Sequence, residues 1–185
     1  MVELRLAVFG DVHGDVEALE AVLADAARRG VDEAVHLGDL AGGENPEQVI
    51  ERIRREGITG VRGDADVSAV EGGKLSRGAA GYLRELPAWM RVEDGPLRIL
   101  FVHAGPRAPD RVPDARGWER WMVSQGAQVA VRGHTHRPGT LHVGDRTVLS
   151  PGAVSRRVAV DGTPSYLVLE ARPEFRAWVV RVSVG

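Results

Sequence analysis

The sequence predicts an α/β fold in which two mixed sheets pack together, helices cover the outside, and strand ends converge on one cleft. Three observations predict it. An apolar run followed at once by Gly-Asp occurs three times, at Gly10-Asp11, Gly38-Asp39 and Gly63-Asp64. Helical periodicity fills the intervals, and the 28- and 25-residue separations of the three aspartates match one strand-helix-strand crossover of about 30 residues. From about Gly139 onward the pattern changes to short alternating runs between turn residues, without convincing helices.

Residues 4–9 are rich in strand formers and end at Gly10, which predicts a buried strand. Asp15 then suits a helix N-cap, and Val16, Leu19, Val22, Leu23 and Ala26 recur at helical spacing until Gly30 stops the helix. Residues 34–37 form a second strand. In Asn45-Pro46-Glu47-Gln48 a capping residue, a proline at the first helical position and Gln three after the cap open a helix that runs to about Gly57. Residues 58–62 form a third strand, parallel to the first two, so Asp11, Asp39 and Asp64 leave the sheet on one edge. That edge, outside the carboxyl ends of the strands, is where open α/β sheets bind ligands. A helix over 75–86 closes at Pro87, and strands over 97–102 and 129–132 end in His103-Ala104-Gly105-Pro106 and Gly133-His134-Thr135-His136. Trp118 and Trp121, three apart, mark one face of a short helix packed on a sheet. Runs at 140–143, 147–149, 165–170 and 175–184 predict an antiparallel second half.

At 185 residues the chain is expected to form one domain over 1–185, and 43% hydrophobic against 27% charged residues allows a real core and excludes general disorder. A net charge of −2 offers no general field for nucleic acid or anionic lipid, so an anionic substrate must be held locally. The absence of cysteine excludes disulfides, thiolate nucleophiles and sulfur-rich metal sites. Charges interrupt the N-terminal stretch where a signal peptide needs its apolar core, and no run approaches the ~18 residues of a membrane helix, so a soluble cytoplasmic protein is expected. Lys74, the sole lysine, is followed by Leu75 and not by the Ser or Thr of a P-loop, and Gly-x-Ser-x-Gly is absent.

In chain order Asp11, His13, Asp39, Asp64, His103, His134 and His136 follow or close five separate apolar strands. Carboxylates mixed with imidazoles suit divalent Mn, Fe, Zn, Co or Ni, manganese leading, better than an all-oxygen Ca or Mg cage. Seven donors are too many for one ion. They fit two ions sharing a carboxylate, the arrangement that activates water and clamps the oxygens of a phosphoryl group in transfer.

Asp11-Val12-His13, Gly38-Asp39, Gly63-Asp64-Ala65-Asp66, His103 and Gly133-His134-Thr135-His136, in that order, resemble the calcineurin-like metallophosphoesterases, particularly their small single-domain bacterial and archaeal phosphodiesterases. Ser150-Pro151-Gly152-Ala153-Val154 is similar to the Asn-Pro-Gly-Ser segment of that branch, and the motif spacing covers residues 4–157. The resemblance implies a four-layer α/β/β/α sandwich. It implies hydrolysis of phosphodiesters or phosphoanhydrides by a hydroxide held between two divalent ions. It also implies that Asp11, His13, Asp39 and His136 bind the first ion and that Asp39, Asp64, His103 and His134 bind the second. Asp39 is then the bridge, with Asp39, Asp64 and His103 carrying the catalysis and a small phosphorylated molecule as partner.

Two departures from the family pattern matter. Asp64 stands where the family has a metal-binding Asn, and this third carboxylate lowers the formal charge of two ions, a hydroxide and their carboxylates from +1 to zero. Ala65 stands where the family has His or Cys, so the group credited with helping the leaving oxygen is gone. Diesters or anhydrides with acidic leaving groups are therefore expected to react faster than alkyl monoesters. Asp66, His36 or an arginine are the candidates to replace the acid, although His36 reads first as structural, and Arg62, Arg107 and Arg137 read first as solvated surface residues. His142 reads as a strand-face residue. The alternative is a catalytically weak binding or scaffold protein that keeps the fold, and a nuclease is disfavoured by the net charge of −2.

Overall fold

A computed structural model describes residues 5–184 other than 107, 109, 172 and 173; Leu4 of the expected first strand and Arg107 thus lie outside the described residues. The chain runs β1 (Arg5–Phe9), α1 (Val16–Arg28), β2 (Glu33–His36), α2 (Pro46–Arg55), β3 (Thr59–Gly60), α3 (Asp64–Glu71), α4 (Arg77–Glu85), β4 (Trp89–Asp94), β5 (Leu97–Val102), α5 (Ala115–Ser124), β6 (Val129–Arg132), β7 (Pro138–Val143), β8 (Arg146–Pro151), β9 (Ser165–Glu170) and β10 (Arg176–Arg181). One sheet has the order β10-β9-β1-β2-β3 and the other β4-β5-β6-β8-β7. Both are mixed: β1, β2 and β3 are parallel, β9 runs antiparallel to β1, and β5, β6 and β8 are parallel between antiparallel β4 and β7.

Alternation along the strands explains the layers. Leu6 and Val8 of β1 join Val35, Ile99, Phe101, Val131, Leu149 and Leu167 in the core between the sheets. Ala7 and Phe9 point the other way, into a second core with Leu19 and Val22 of α1, Val49 and Ile53 of α2 and Leu83 of α4. On the far side Leu100, Val102 and Val148 pack under Trp118 and Met122 of α5. The order helix, sheet, sheet, helix is the expected four-layer sandwich.

Local signals set the helix starts. Asp15 caps α1 by accepting from the Ala18 N–H at 3.2 Å, and Arg29 and Gly30 end it, Gly30 with φ 69°. Asn45 does stand at the N-cap of α2, but its side chain makes no capping bond, so Pro46 rather than a capping box begins this helix.

Three expectations need correction. The third strand shrinks from five residues to Thr59–Gly60, because Gly63 turns the chain directly into α3, a helix the hydrophobic pattern did not reveal. β4 was also hidden, although Gly95, which takes φ 60° as the first residue of the two-residue Gly95-Pro96 loop, is a hairpin signal. The strands after Gly139 do not make a separate antiparallel half. β7 and β8 complete the second sheet, with β8 parallel to β6, while β9 and β10 return to the first sheet beside β1. Alternation specifies faces, not which sheet receives a strand.

Candidate metal centre

The carboxyl ends of β1, β2, β5 and β6 and the N-terminus of α3 meet at one place, and all seven residues singled out from the sequence lie there. They form two groups in which one donor atom from each residue lies within 4.8 Å of the others: Asp11, His13, Asp39 and His136, and Asp64, His103 and His134. Asp39 Oδ2 lies between the groups, 3.5 Å from His13 Nε2 and 3.5 Å from His103 Nε2.

Backbone conformation sets this geometry. Five non-glycine residues have positive φ among the described residues: Asp11 (54°), His13 (44°), Asp39 (53°), His134 (69°) and His136 (58°). Every one belongs to the seven. Left-handed backbone disfavours any residue with a Cβ, and such strain concentrates at sites where side-chain direction matters more than local comfort. The surrounding structure enforces it. The Val12 and His13 N–H groups both donate to the Asp39 carbonyl at 2.9 Å, and the Ser155 N–H donates to the Asp11 carbonyl at 3.0 Å. The segment 150–155 is thereby fastened to the first ligand loop. Two glycines make the approach possible: a Cβ on Gly38 (φ 89°) would lie 2.4 Å from the Gly63 nitrogen, and one on Gly63 would lie 2.0 Å from Asp39 Oδ1.

Hydrogen bonds aim the donors. Asp11 accepts the His134 N–H on both oxygens at 3.1 Å, and Asp39 Oδ1 accepts the Ala65 N–H at 2.8 Å, leaving Oδ2 free for the cluster. The Leu37 carbonyl lies 2.7 Å from His103 Nδ1 and can only accept, so Nδ1 carries the proton and Nε2 faces the cluster. Asp64 Oδ1 is 2.9 Å from both His103 Nε2 and His134 Nδ1, and His13 Nε2 is 3.4 Å from His136 Nε2.

The donor set fits divalent cations. In their ordinary states these carboxylate oxygens and imidazole nitrogens present lone pairs to one another, an arrangement that demands positive charge among them. Protonation behaviour shows the same demand. Burial pushes the Asp39 carboxyl up to about 7, with Asp11 and Asp64 adding to it against His103. For His103 burial opposes protonation, but the Asp64 hydrogen bond and the Asp39 and Asp11 charges win and raise it to about 9. The His103 hydrogen bond chiefly holds Asp64 down to about 2. Burial lowers His13, and the Asp11 hydrogen bond raises His136.

The candidate replacement acids are committed elsewhere. Asp66, fully buried, accepts from the backbone N–H groups of Asp39 (2.9 Å), Ala41 (2.8 Å) and Gly63 (2.9 Å), tying the Asp39 loop to the start of α3. Its role was invisible in the sequence because two partners lie 25 and 27 residues away. His36 is buried beneath Gly38, 3.3 Å from the Tyr82 hydroxyl, and burial drops it to about 3. Arg62 donates to the Arg84 carbonyl, while His142 sits on a strand beside Thr147. Sequence reading also missed that Asp15 is gripped by Arg156 through its Nε (3.0 Å) and Nη2 (2.8 Å).

The Calcineurin-like phosphoesterase superfamily domain matches residues 4–174. Phosphodiesterase YfcE of Escherichia coli K12 is 28% identical over 179 residues, covering 90% of this chain and 88% of YfcE. An uncharacterized protein of Methanocaldococcus jannaschii is 27% identical over 220 residues, covering 98% of this chain and 88% of its own. The crystal structure of a metallophosphoesterase from Sphaerobacter thermophilus superposes with a TM-score of 0.76 at 26% identity, over 100% of this chain and 90% of that one. No helix among the described residues is long and apolar enough to cross a membrane. With its two mixed sheets, its flanking helices and its candidate metal ligands at the strand ends, the chain belongs to the calcineurin-like phosphoesterase superfamily.

Proposed function

We propose that this chain hydrolyses small phosphodiesters with acidic leaving groups, using two divalent ions held by the two donor groups and shared through Asp39. The observation that carries this reading is the placement of Asp39 Oδ2 at 3.5 Å from a histidine of each group. Asp11, His13 and His136 would complete the first ion's ligands, and Asp64, His103 and His134 the second's. Two such ions lower the pKa of water and draw charge from a phosphoryl group. The chain itself does the positioning: Ala65 N–H fixes Asp39, Leu37 fixes the tautomer of His103, and Asp66 fixes the loop that carries Leu37 and Asp39.

The preference for diesters follows from two side chains. Asp64 adds a negative charge where an amide would not, which disfavours a monoester dianion more than a diester monoanion. At position 65 a methyl group offers no proton to the leaving oxygen, and the buried Asp66 and His36 are already bonded within the scaffold. Departure without a side-chain acid favours leaving groups that are stable as anions.

The test strips metal from the protein, restores Mn, Ni, Zn or Mg singly, and follows an aryl diester, an aryl monoester and an alkyl monoester. Diester turnover should require metal, exceed alkyl monoester turnover, and fall at least about a hundredfold in Asp39→Asn, more than the usual loss on removing a group that merely supports a ligand. Turnover that survives metal removal, or equal kcat/KM for diester and alkyl monoester, would overturn the proposal.

A further inference from the structure

A cavity of about 330 Å³ opens beside the metal centre on the side of the first donor group. His13 belongs both to that group and to the cavity wall, so the cavity adjoins the space where a phosphoryl group would meet the donors. The remaining wall comes from the N-terminal turn of α1 (Asp15 and Glu17), the residues leading into α2 (Glu44 and Asn45), and Arg156 and Arg157 beyond β8.

The charges of this wall are already paired. Arg156 donates to Asp15 and, at 2.9 Å, to Glu17, while Arg157 lies 2.5 Å from Glu44. Three carboxylates face two guanidinium groups. No cation is left for a second phosphate, and an arm carrying one would meet the uncompensated carboxylate. What the wall offers instead is a mixture of acceptors and donors. Asn45 adds one of each, since its side chain caps no helix N–H. A hydroxyl, which both gives and accepts, suits that mixture. Apart from His13 no aromatic ring lines the cavity, so neither a stacking base nor a quaternary ammonium finds a platform.

We propose that this cavity seats one ester arm of the substrate, and that the arm is an uncharged, hydroxyl-bearing unit such as a glyceryl or sugar group. The inference rests on the phosphodiesterase reading above and narrows its substrate class. Glu44 and Asn45 are then specificity-determining residues; both are exposed, so replacing them leaves the core intact.

The experiment uses the metal-loaded protein and three diesters sharing a 4-nitrophenyl leaving group, their other arm being methyl, glyceryl or phosphoglyceryl. The glyceryl diester should exceed each of the others in kcat/KM by about tenfold, the scale of one or two hydrogen bonds or one like-charge repulsion. Asn45→Ala should lower the glyceryl diester about fivefold through KM and leave the methyl diester unchanged. Glu44→Lys should raise the phosphoglyceryl diester about tenfold, a gain that misfolding could not produce. Equal kcat/KM for all three arms in the wild type and both variants would overturn the proposal. If no protein hydrolyses even the methyl diester, the phosphodiesterase reading fails separately. Calorimetric Kd values for glyceryl methyl phosphate and its phosphorylated analogue then decide the role of the cavity, and a ratio that Glu44→Lys does not move overturns it.

Discussion

The two donor groups contain the same kinds of side chain but are held by different means. In the first, Asp11, His13, Asp39 and His136 all sit on left-handed backbone, and the loops after β1 and β2 are bonded to each other through main-chain groups, Val12 and His13 to the Asp39 carbonyl and Gly14 N–H to the Leu40 carbonyl at 3.1 Å. In the second only His134 has positive φ; Asp64 stands in the first turn of a helix and His103 at the end of a strand, and Asp64 is positioned by contacts with the two histidines. The first group is therefore defined by the fold. The second is defined largely by its own side chains, which makes it the easier one to retune. Asp64 lies in that second group.

The largest effect expected comes from removing the buried carboxylate that ties the Asp39 loop to the start of α3. Asp66→Ala strands three buried backbone N–H groups and should destabilise the protein by about 3 kcal/mol or more, read as the shift of a urea transition. Wild-type stability in that variant would mean that the loops hold each other without Asp66. A second test varies pH on the metal-free protein. The carboxyl of Asp39 rises from an ordinary 3.8 to about 7 on folding, so the stability its proton confers is complete below pH 3.8 and gone above about 7. The corresponding window for His103 runs from 6.5 to about 9. Below pH 6.5 this fall is offset by His36, which drops from 6.5 to about 3 on folding, so metal-free stability should fall chiefly as pH rises from 6.5 to 9, and bound metal, which favours deprotonated ligands, should flatten or reverse that slope. A metal-free midpoint that climbs over this range would contradict the assignment. The smallest effect is expected at Asp64. Asp64→Asn keeps the oxygen between His103 and His134 but removes a charge, so the monoester-to-diester ratio of kcat/KM should rise several-fold with little change in stability. The isosteric Asp39→Asn, in the rigid group, should instead lower both substrates together.

Much of this arrangement was readable from residue order because its chemistry sits at strand ends. Gly10-Asp11, Gly38-Asp39 and Gly133-His134-Thr135-His136 each announce an apolar strand that stops in a candidate metal ligand. The parallel order of β1, β2 and β3 followed from crossover length. What stayed hidden depends on distant partners. Nothing near Asp66 shows that it serves Asp39 and Ala41. Alternation along β2 could not decide which way His36 faces, and the sheet that β9 joins depends on the free edge of β1. The grip of Arg156 on Asp15 likewise spans 141 residues.

The five candidate ligands on left-handed backbone also determine how this protein would respond to selection. Each costs about 1 kcal/mol or more relative to relaxed backbone, so together they oppose folding by an amount close to the lower end of a domain's whole net stability. Glycine would relieve that cost at positions 11, 13, 39, 134 and 136, and would delete a donor atom each time. A library sorted only for thermal resistance in the absence of metal would therefore drift toward glycine at these five positions and emerge robust and inert. The same library sorted with metal present should keep all five.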